Sequence, residues 1–326
     1  MAECASLPNT LIYLMTNAPL PDGTMDDAPF IKDPVKVAVT AASGGLGQQI
    51  VETLVRWAGA DSVIAVVRDP DKHDFGDVEV RIADYASQAD MQAAFDGVDT
   101  VIFVSSPVGA GDRVQLHRNV INAGVKAGVR KMMYTSVIGN GSEMDTYYAP
   151  MAEVNRQTEA ELQASGLEWI VGRNGLYLEF DVAHILNAVE EGVFRNNGGD
   201  GYCCYITRNE LARAYAMATA HDECNNKVLN FVGEAYRQED LVDLVNMQAD
   251  TSVRYEAIDD AEVMKKIAAA RGEEVARMLT GCYQAIRAGA FDVESQIEEA
   301  TGMACKPMPI MIAEVVADIR AGNAAR

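Results

Sequence analysis

The chain of 326 residues has no CxxC pair, no HxxxH or HExxH spacing, and no apolar run near the roughly 18 to 20 residues of a membrane span. Its six cysteines (Cys4, Cys203, Cys204, Cys224, Cys282, Cys305) and four histidines (His73, His117, His184, His221) are scattered. That pattern argues against a metal site and for a reducing cytoplasm. Adjacent Cys203 and Cys204 read as two strand or loop thiols, with a strained vicinal disulfide as the alternative. Positive charge is scarce too: 27 Lys and Arg face 48 Asp and Glu, a net charge of −21. Such a balance repels phosphate backbones and argues against nucleic acid and anionic membranes as partners. The one leader-like segment, Leu11 to Met15, follows Glu3 with no Lys or Arg before it and so lacks the charged start of a signal peptide. The chain reads as cytoplasmic.

What is present is a globular composition, 49% hydrophobic and 23% charged, over a length sufficient for one to three domains. Residues 1–34 carry Pro8, Pro19, Pro21, Pro29 and Pro34 and read as an extension ahead of the first domain. It is either a disordered tail or, through Leu11 to Met15, a segment docked on the body or on a neighbouring subunit; the oligomeric state stays open, a homo-oligomer included. From residue 35, short apolar runs alternate with amphipathic stretches: VKVAVT (35–40), SVIAVV (62–67), VEVRI (78–82), TVIFVS (100–105), KMMYT (131–135) and EWIVG (168–172). Strands this apolar are covered on both faces, which predicts a doubly wound parallel α/β sheet of Rossmann type over 35–175, with 200–232 returning to it. After Arg173 the alternation breaks down. Strands at 228–232 and 252–258 and helical stretches near 238–249, 260–280 and 283–299 predict a smaller C-terminal lobe over 176–326, with the ligand crevice between lobe and sheet.

The strongest local signal is the strand, turn and helix of VKVAVTAASGGLG followed by QQIVETLVRWA. Such a turn presents free backbone N–H groups and a positive helix end to a pyrophosphate. Gly44 and Gly47 hold the second and third positions of GxxGxxG, and Ala41 replaces the first, which a tight turn accepts if its φ stays negative. About 20 residues on, where a carboxylate would take a ribose 2′-OH, stands Arg68. With Lys72 it suits a 2′-phosphate and favours NADP(H); a ribose contact from Asp69 or Asp71 would instead allow NAD(H).

These residues resemble the NmrA-like atypical short-chain dehydrogenase/reductases, in particular the type 2 NAD(P)H:quinone oxidoreductases. The similarity rests on TAASGGLG (40–47), VVRDPDK (66–72), ADYASQADMQAAFDGVDTVIFVSSP (83–107), NVINAGVKAGVRKMMYTS (119–136), TEAELQASGLEWIVGRNGLYLE (158–179) and AGAFDVESQIEEATGMACKPM (288–308), covering roughly 35–315. The resemblance implies a cofactor site in which Thr40, Ala42, Ser43, Gly44, Gly45, Leu46 and Gly47 surround the pyrophosphate and Arg68 and Lys72 the 2′-phosphate. It places Asp84 and Tyr85 at the adenine edge and Ser105, Ser106 and Pro107 at the nicotinamide ribose. Thr135, Ser136, Asn155, Asn174, Gly175 and Tyr177 would then lie toward the nicotinamide and the substrate crevice.

One departure bears on mechanism. Ketone-reducing relatives use YxxxK, with Tyr as proton donor and Lys lowering its pKa, but the matching positions here hold Met151 and Asn155. Met supplies no proton, and Asn is a neutral hydrogen-bonding group. A quinone demands less, because it accepts hydride directly and its developing oxyanion needs only a hydrogen bond. Ser136, Tyr147, Tyr148, Asn155 and Tyr177 are the candidate donors. Met151, Val154, Thr158 and Leu162 share a helical face and read as core, with Met151 at the end where the crevice should open; His117 reads as a surface or packing group, His184 as a residue near the substrate lobe. The sequence therefore reads as an NAD(P)H-dependent oxidoreductase acting on a small-molecule quinone or aromatic carbonyl substrate. The alternatives are a non-catalytic dinucleotide-sensing regulator of NmrA type and a specialised-pathway reductase for a larger aromatic substrate.

Overall fold

The computed structural model describes residues 35–322, so the extension with its Leu11–Met15 patch lies outside the described residues. In chain order the strands are β1 (Val37–Val39), β2 (Val63–Val67), β3 (Glu79–Ile82), β4 (Thr100–Phe103), β5 (Lys131–Val137), β6 (Glu168–Asn174), β7 (Leu176–Tyr177), β8 (Val193–Asn196), β9 (Tyr202–Ile206), β10 (Lys227–Phe231), β11 (Ala235–Arg237) and β12 (Arg254–Ala257). The helices are α1 (Gly45–Ala58), α2 (Gln88–Ala94), α3 (Arg113–Ala127), α4 (Ala149–Gln163), α5 (Leu178–Asn187), α6 (Arg208–Ala218), α7 (Gln238–Ala249), α8 (Asp260–Arg271), α9 (Glu273–Arg287), α10 (Ile297–Thr301) and α11 (Met308–Arg320). Among the described residues no helix is long and apolar enough to cross a membrane.

Seven strands form one sheet in the order β10-β6-β5-β4-β1-β2-β3, every pairing parallel. Alternation along each short strand decides which layer a side chain enters. Val37 and Val39 pack with Ile50 and Leu54 of α1 and Leu211 and Tyr215 of α6, while Ala38 and Ile64 pack on the opposite side with Met91, Val120 and Leu162 of α2, α3 and α4. The small lobe has its own core, with Val182, Leu241, Ile286 and Ile312 contributed by α5, α7, α9 and α11 beneath the β11-β9-β7 sheet and the β12-β8 pair. Cys203 and Cys204, adjacent on β9, are free buried thiols.

The structure departs from the sequence pattern in three places. VEVRI is not covered on both faces: β3 is the sheet edge, and Val80 and Ile82 stay 39% and 63% exposed. The helical stretches at 260–280 and 283–299 are divided elsewhere, because Gly272 at φ +86° ends α8 and starts α9, which then runs unbroken to Arg287. Ala41 does not keep a negative φ; it sits at φ +47°, a left-handed position that costs an L-residue about 1–2 kcal/mol. Ala41→Gly removes that strain but loosens the unfolded chain by about 0.5–1 kcal/mol. The substitution is expected to stabilise the protein by about 0.5–1 kcal/mol in urea unfolding, and a loss of stability would contradict the strain.

Candidate active site

β1 is flanked by β2 on one side and β4 on the other, so successive crossovers run in opposite directions and open a crevice beyond the strand ends. A cleft of about 880 Å³ lies there, running from Arg68 and Lys72 past the glycine turn to Thr135, Asn174 and Tyr177. At the turn, a Cβ on Gly47 would stand 2.4 Å from the Ala41 carbonyl oxygen and 2.9 Å from Ala42 Cα. Helix α1 therefore starts closer to the strand end than any side chain permits. Its first-turn amides, Gly45 and Leu46, have no intrahelical acceptor and border the cleft, a cradle fitted to a pyrophosphate.

At the far end of β2 the Arg68 side chain is 69% exposed, and its nearest carboxylate oxygen, on Asp84, is 4.0 Å away. Lys72, 65% exposed, lies 3.8 Å from Asp69. Both cations are free to turn toward a phosphate, because exposed pairs this loose are worth little. Asp84 binds the amide of Ala86 (2.8 Å), forming the turn that carries Tyr85 along the cleft wall.

Beyond β4, the segment Ser105 to Pro107 is held by buried groups. Thr135 Oγ1 accepts from the Ser105 amide (2.9 Å), and His117 Nε2 accepts from the Ser106 amide (3.0 Å). With Nε2 an acceptor, the ring proton sits on Nδ1 and is donated to Thr158 Oγ1 at 2.8 Å. His117 is thus a buried fastener of the loop and not a surface group. Burial, then the Arg113 charge, push its pKa down to about 3 from 6.5. Because the folded value lies below the unfolded one, this group's stability contribution is complete above about pH 6.5 and drains away toward pH 3, at up to about 1.4 kcal/mol per pH unit. His117→Gln is expected to lose less stability between about pH 6 and pH 4 than the parent in urea unfolding; parallel acid curves would contradict the buried neutral ring.

Arg113 is a cleft residue that no sequence motif marks. It is 7% exposed, lines the cleft, and among the described residues has only neutral partners: Ser105 Oγ (2.9 Å), the Ser106 carbonyl (3.1 Å) and Met151 Sδ (2.9 Å). A cation in the first turn of α3, where the helix dipole opposes it, was the available signal. Arg208 also lines the cleft, its guanidinium 5.2 Å and 5.0 Å from the ring centres of Tyr177 and Phe180.

A second cavity of about 370 Å³ opens beside the cleft and shares Ser136, Val137, Met151, Asn174, Tyr177 and Phe180 with it. The candidate proton donors differ in what their hydrogens already do. Ser136 faces both cavities but donates to Glu159 at 2.5 Å, a carboxylate also gripped by Arg156 and Arg173. Asn155 does not reach either cavity: fully buried, it accepts from Tyr134 (2.7 Å) and donates to the Met151 carbonyl (2.8 Å). Tyr148 lines the smaller cavity, and among the described residues its hydroxyl has no hydrogen-bond partner. Its backbone is set by α9, where a Cβ on Gly281 would stand 2.4 Å from the Tyr148 nitrogen. Burial raises its pKa well above 10, with the charges of Arg156 and Arg113 acting against that rise. Tyr147 is exposed and lies under Arg277 instead. Asn174 accepts from Tyr215 of α6 at 2.7 Å, which fixes its amide toward the cleft end.

Thr40 and Ala42, like Asn155, are buried away from the cleft surface. Thr40 instead bonds the Tyr85 hydroxyl and the Val104 amide behind the wall. The remaining expected cofactor residues, from Ser43 through Asn174, are brought together along one continuous surface.

A glycine-turn α/β sheet with this cleft defines a dinucleotide-binding protein. Residues 41–222 match the family described as NAD(P)H-binding, and the chain belongs to that family. It is 33% identical to quinone oxidoreductase 2 of Escherichia coli over 69% of this chain and 79% of that protein. The crystal structure of the E. coli NADPH-dependent quinone oxidoreductase with NADPH superimposes with a TM-score of 0.78 at 29% identity, covering 87% of this chain and 99% of that one. Triphenylmethane reductase from Citrobacter sp., described in relation to triphenylmethane dyes, gives 0.78 at 28% identity over 86% of this chain and 99% of its own. The protein is an NAD(P)H-dependent oxidoreductase of this type.

Proposed function

We propose that the chain takes NADPH in the larger cleft and reduces a quinone or related conjugated carbonyl compound held in the smaller cavity. The observation that supports this most is the border shared by the two cavities, which lets a flat ring in one lie against a nicotinamide at the end of the other. When bound, the dinucleotide supplies two electrons with one hydrogen. The chain's own residues do the rest. Gly45 and Leu46 amides hold the pyrophosphate, Arg68 and Lys72 the 2′-phosphate, Asp84 and Tyr85 the adenine edge, and Ser105, Ser106 and Pro107 the nicotinamide ribose. Asn174 and Thr135 orient the reacting end, and Tyr177 with Phe180 walls it from water. Tyr148 donates a hydrogen bond or proton to the developing oxyanion, since Ser136 and Asn155 have committed theirs.

The test is steady-state reduction of 1,4-naphthoquinone at saturating NADPH. Tyr148→Phe is expected to lower kcat by about 10- to 100-fold while NADPH affinity changes less than about twofold. An unchanged kcat would remove Tyr148 from the step and leave water as the donor.

A further inference from the structure

The smaller cavity contains a charge that reduction of a neutral quinone does not call for. Asp181 of α5 lines it with an 8% exposed side chain. Each carboxylate oxygen accepts a tyrosine hydroxyl at 2.5 Å, Tyr283 of α9 on Oδ1 and Tyr205 of β9 on Oδ2. Gln238 donates to the Tyr205 oxygen at 2.7 Å, so that hydroxyl's one proton is committed to Asp181. Two donors facing one carboxyl is the pattern of an ionised acceptor. Among the described residues no Lys or Arg lies within ion-pair distance of it, and the one basic contact, His184 Nδ1, is 3.8 Å away, beyond hydrogen-bond reach.

Tyrosine hydroxyls hold a carboxylate without neutralising it, and they use only two of its roughly four acceptor positions. A charge buried in this way is costly unless a cation meets it. The walls around it are aromatic: Tyr148, Tyr177, Phe180 and Tyr283. Aromatic walls beside a carboxylate are the chemistry that recognises an organic cation. Arg271 also lines the cavity but is exposed, and Arg208 is occupied with the faces of Tyr177 and Phe180. The Asp181 charge is felt across the cavity at Cys282, whose thiol is pushed up to about 12 by burial first and by that charge second.

We propose that Asp181 is a specificity-determining residue that selects aromatic acceptors bearing a fixed positive charge over neutral acceptors of the same size. The inference rests on the smaller cavity being the acceptor site. For a quinone with a quaternary ammonium substituent, hydride from NADPH and one proton convert quinone to hydroquinone, NADPH becomes NADP⁺, and the ammonium is unchanged. No other reductant is required.

The experiment compares two 1,4-naphthoquinones, one carrying a trimethylammonium side chain and the other the same chain ending in a neutral tert-butyl group. The parent protein is expected to prefer the cationic compound at least tenfold in kcat/KM, mainly through KM. Asp181→Asn should bring that preference, read as the ratio of the two kcat/KM values within the same variant, to within about twofold of unity. The net charge of −21 also draws cations, but the substitution removes only one charge from that general field. Asp181→Glu, which keeps the charge, should retain the preference even where its rate falls. No preference in the parent, or one that survives Asp181→Asn, overturns the inference. If neither quinone is reduced, calorimetric titration of the NADP⁺-loaded protein with the cationic compound decides. Asp181-dependent binding keeps the inference and overturns the hydride-transfer reading; absence of binding overturns the inference.

Discussion

Arg68→Ala is expected to weaken NADPH binding by about 10- to 100-fold while NADH binding changes less than about threefold. A guanidinium meeting a phosphate forms charge-assisted hydrogen bonds worth about 1.5–3 kcal/mol, and NADH has no 2′-phosphate to lose them. Little opposes that pairing before the cofactor arrives, because the contact with Asp84 at 4.0 Å is solvated on both sides. Lys72 stands on the next turn of chain, so Arg68→Ala with Lys72→Ala should go further in the same direction. Fluorescence titration with each dinucleotide separates the cases. Equal losses for NADPH and NADH would instead place a ribose contact at this end of the cleft, served by the neighbouring carboxylates.

Gly47→Ala is expected to strike both cofactors alike. Its new methyl would stand 2.4 Å from the Ala41 carbonyl oxygen, which already accepts from the Gly44 amide at 2.9 Å and belongs to a left-handed residue. Backbone so held yields only by lifting α1 off the strand end, at a cost of about 2–3 kcal/mol by the usual scale of overpacking. Affinity for NADPH and NADH should fall together by at least tenfold, because the first-turn amides move with the helix. Gly44→Ala is the control, since its methyl would meet the same oxygen at 3.2 Å, a contact that a small shift relieves. Urea unfolding and dinucleotide titration of both variants check the ranking. A Gly47→Ala protein as stable as the parent would contradict the packing of turn and helix.

What the sequence made legible was whatever depends on near neighbours. The glycine turn, Arg68 at a strand end and six of the parallel strands follow from local pattern, because apolar alternation and turn chemistry act over a few residues. The seventh strand is β10, which pairs with β6 along Lys227–Phe231, where the pattern called for a strand. Side-chain duties were harder to read, since they depend on partners far along the chain. Ser136 looks like a donor until Glu159 takes its proton, and Asn155 like one until Tyr134 and its own helix enclose it. His117 reads as a packing residue until the Ser106 amide is found on its ring. Arg113 and Asp181 are not legible in the sequence because an isolated Arg or Asp on a helix is ordinarily solvated, and only the tertiary fold buries them with no opposite charge in an ion pair among the described residues. The division of α8 from α9 at Gly272 was written in the sequence as one glycine, outweighed by the helix formers on either side.

The most direct test of the whole account is anaerobic mixing of the NADPH-loaded protein with 1,4-naphthoquinone, with a protein-free blank subtracted. The expected result is saturable, protein-dependent consumption of one NADPH for each hydroquinone formed. NADPH that binds tightly yet is not consumed with this or other conjugated carbonyl acceptors would contradict quinone reduction and leave a dinucleotide-binding protein with a different acceptor or a sensing role.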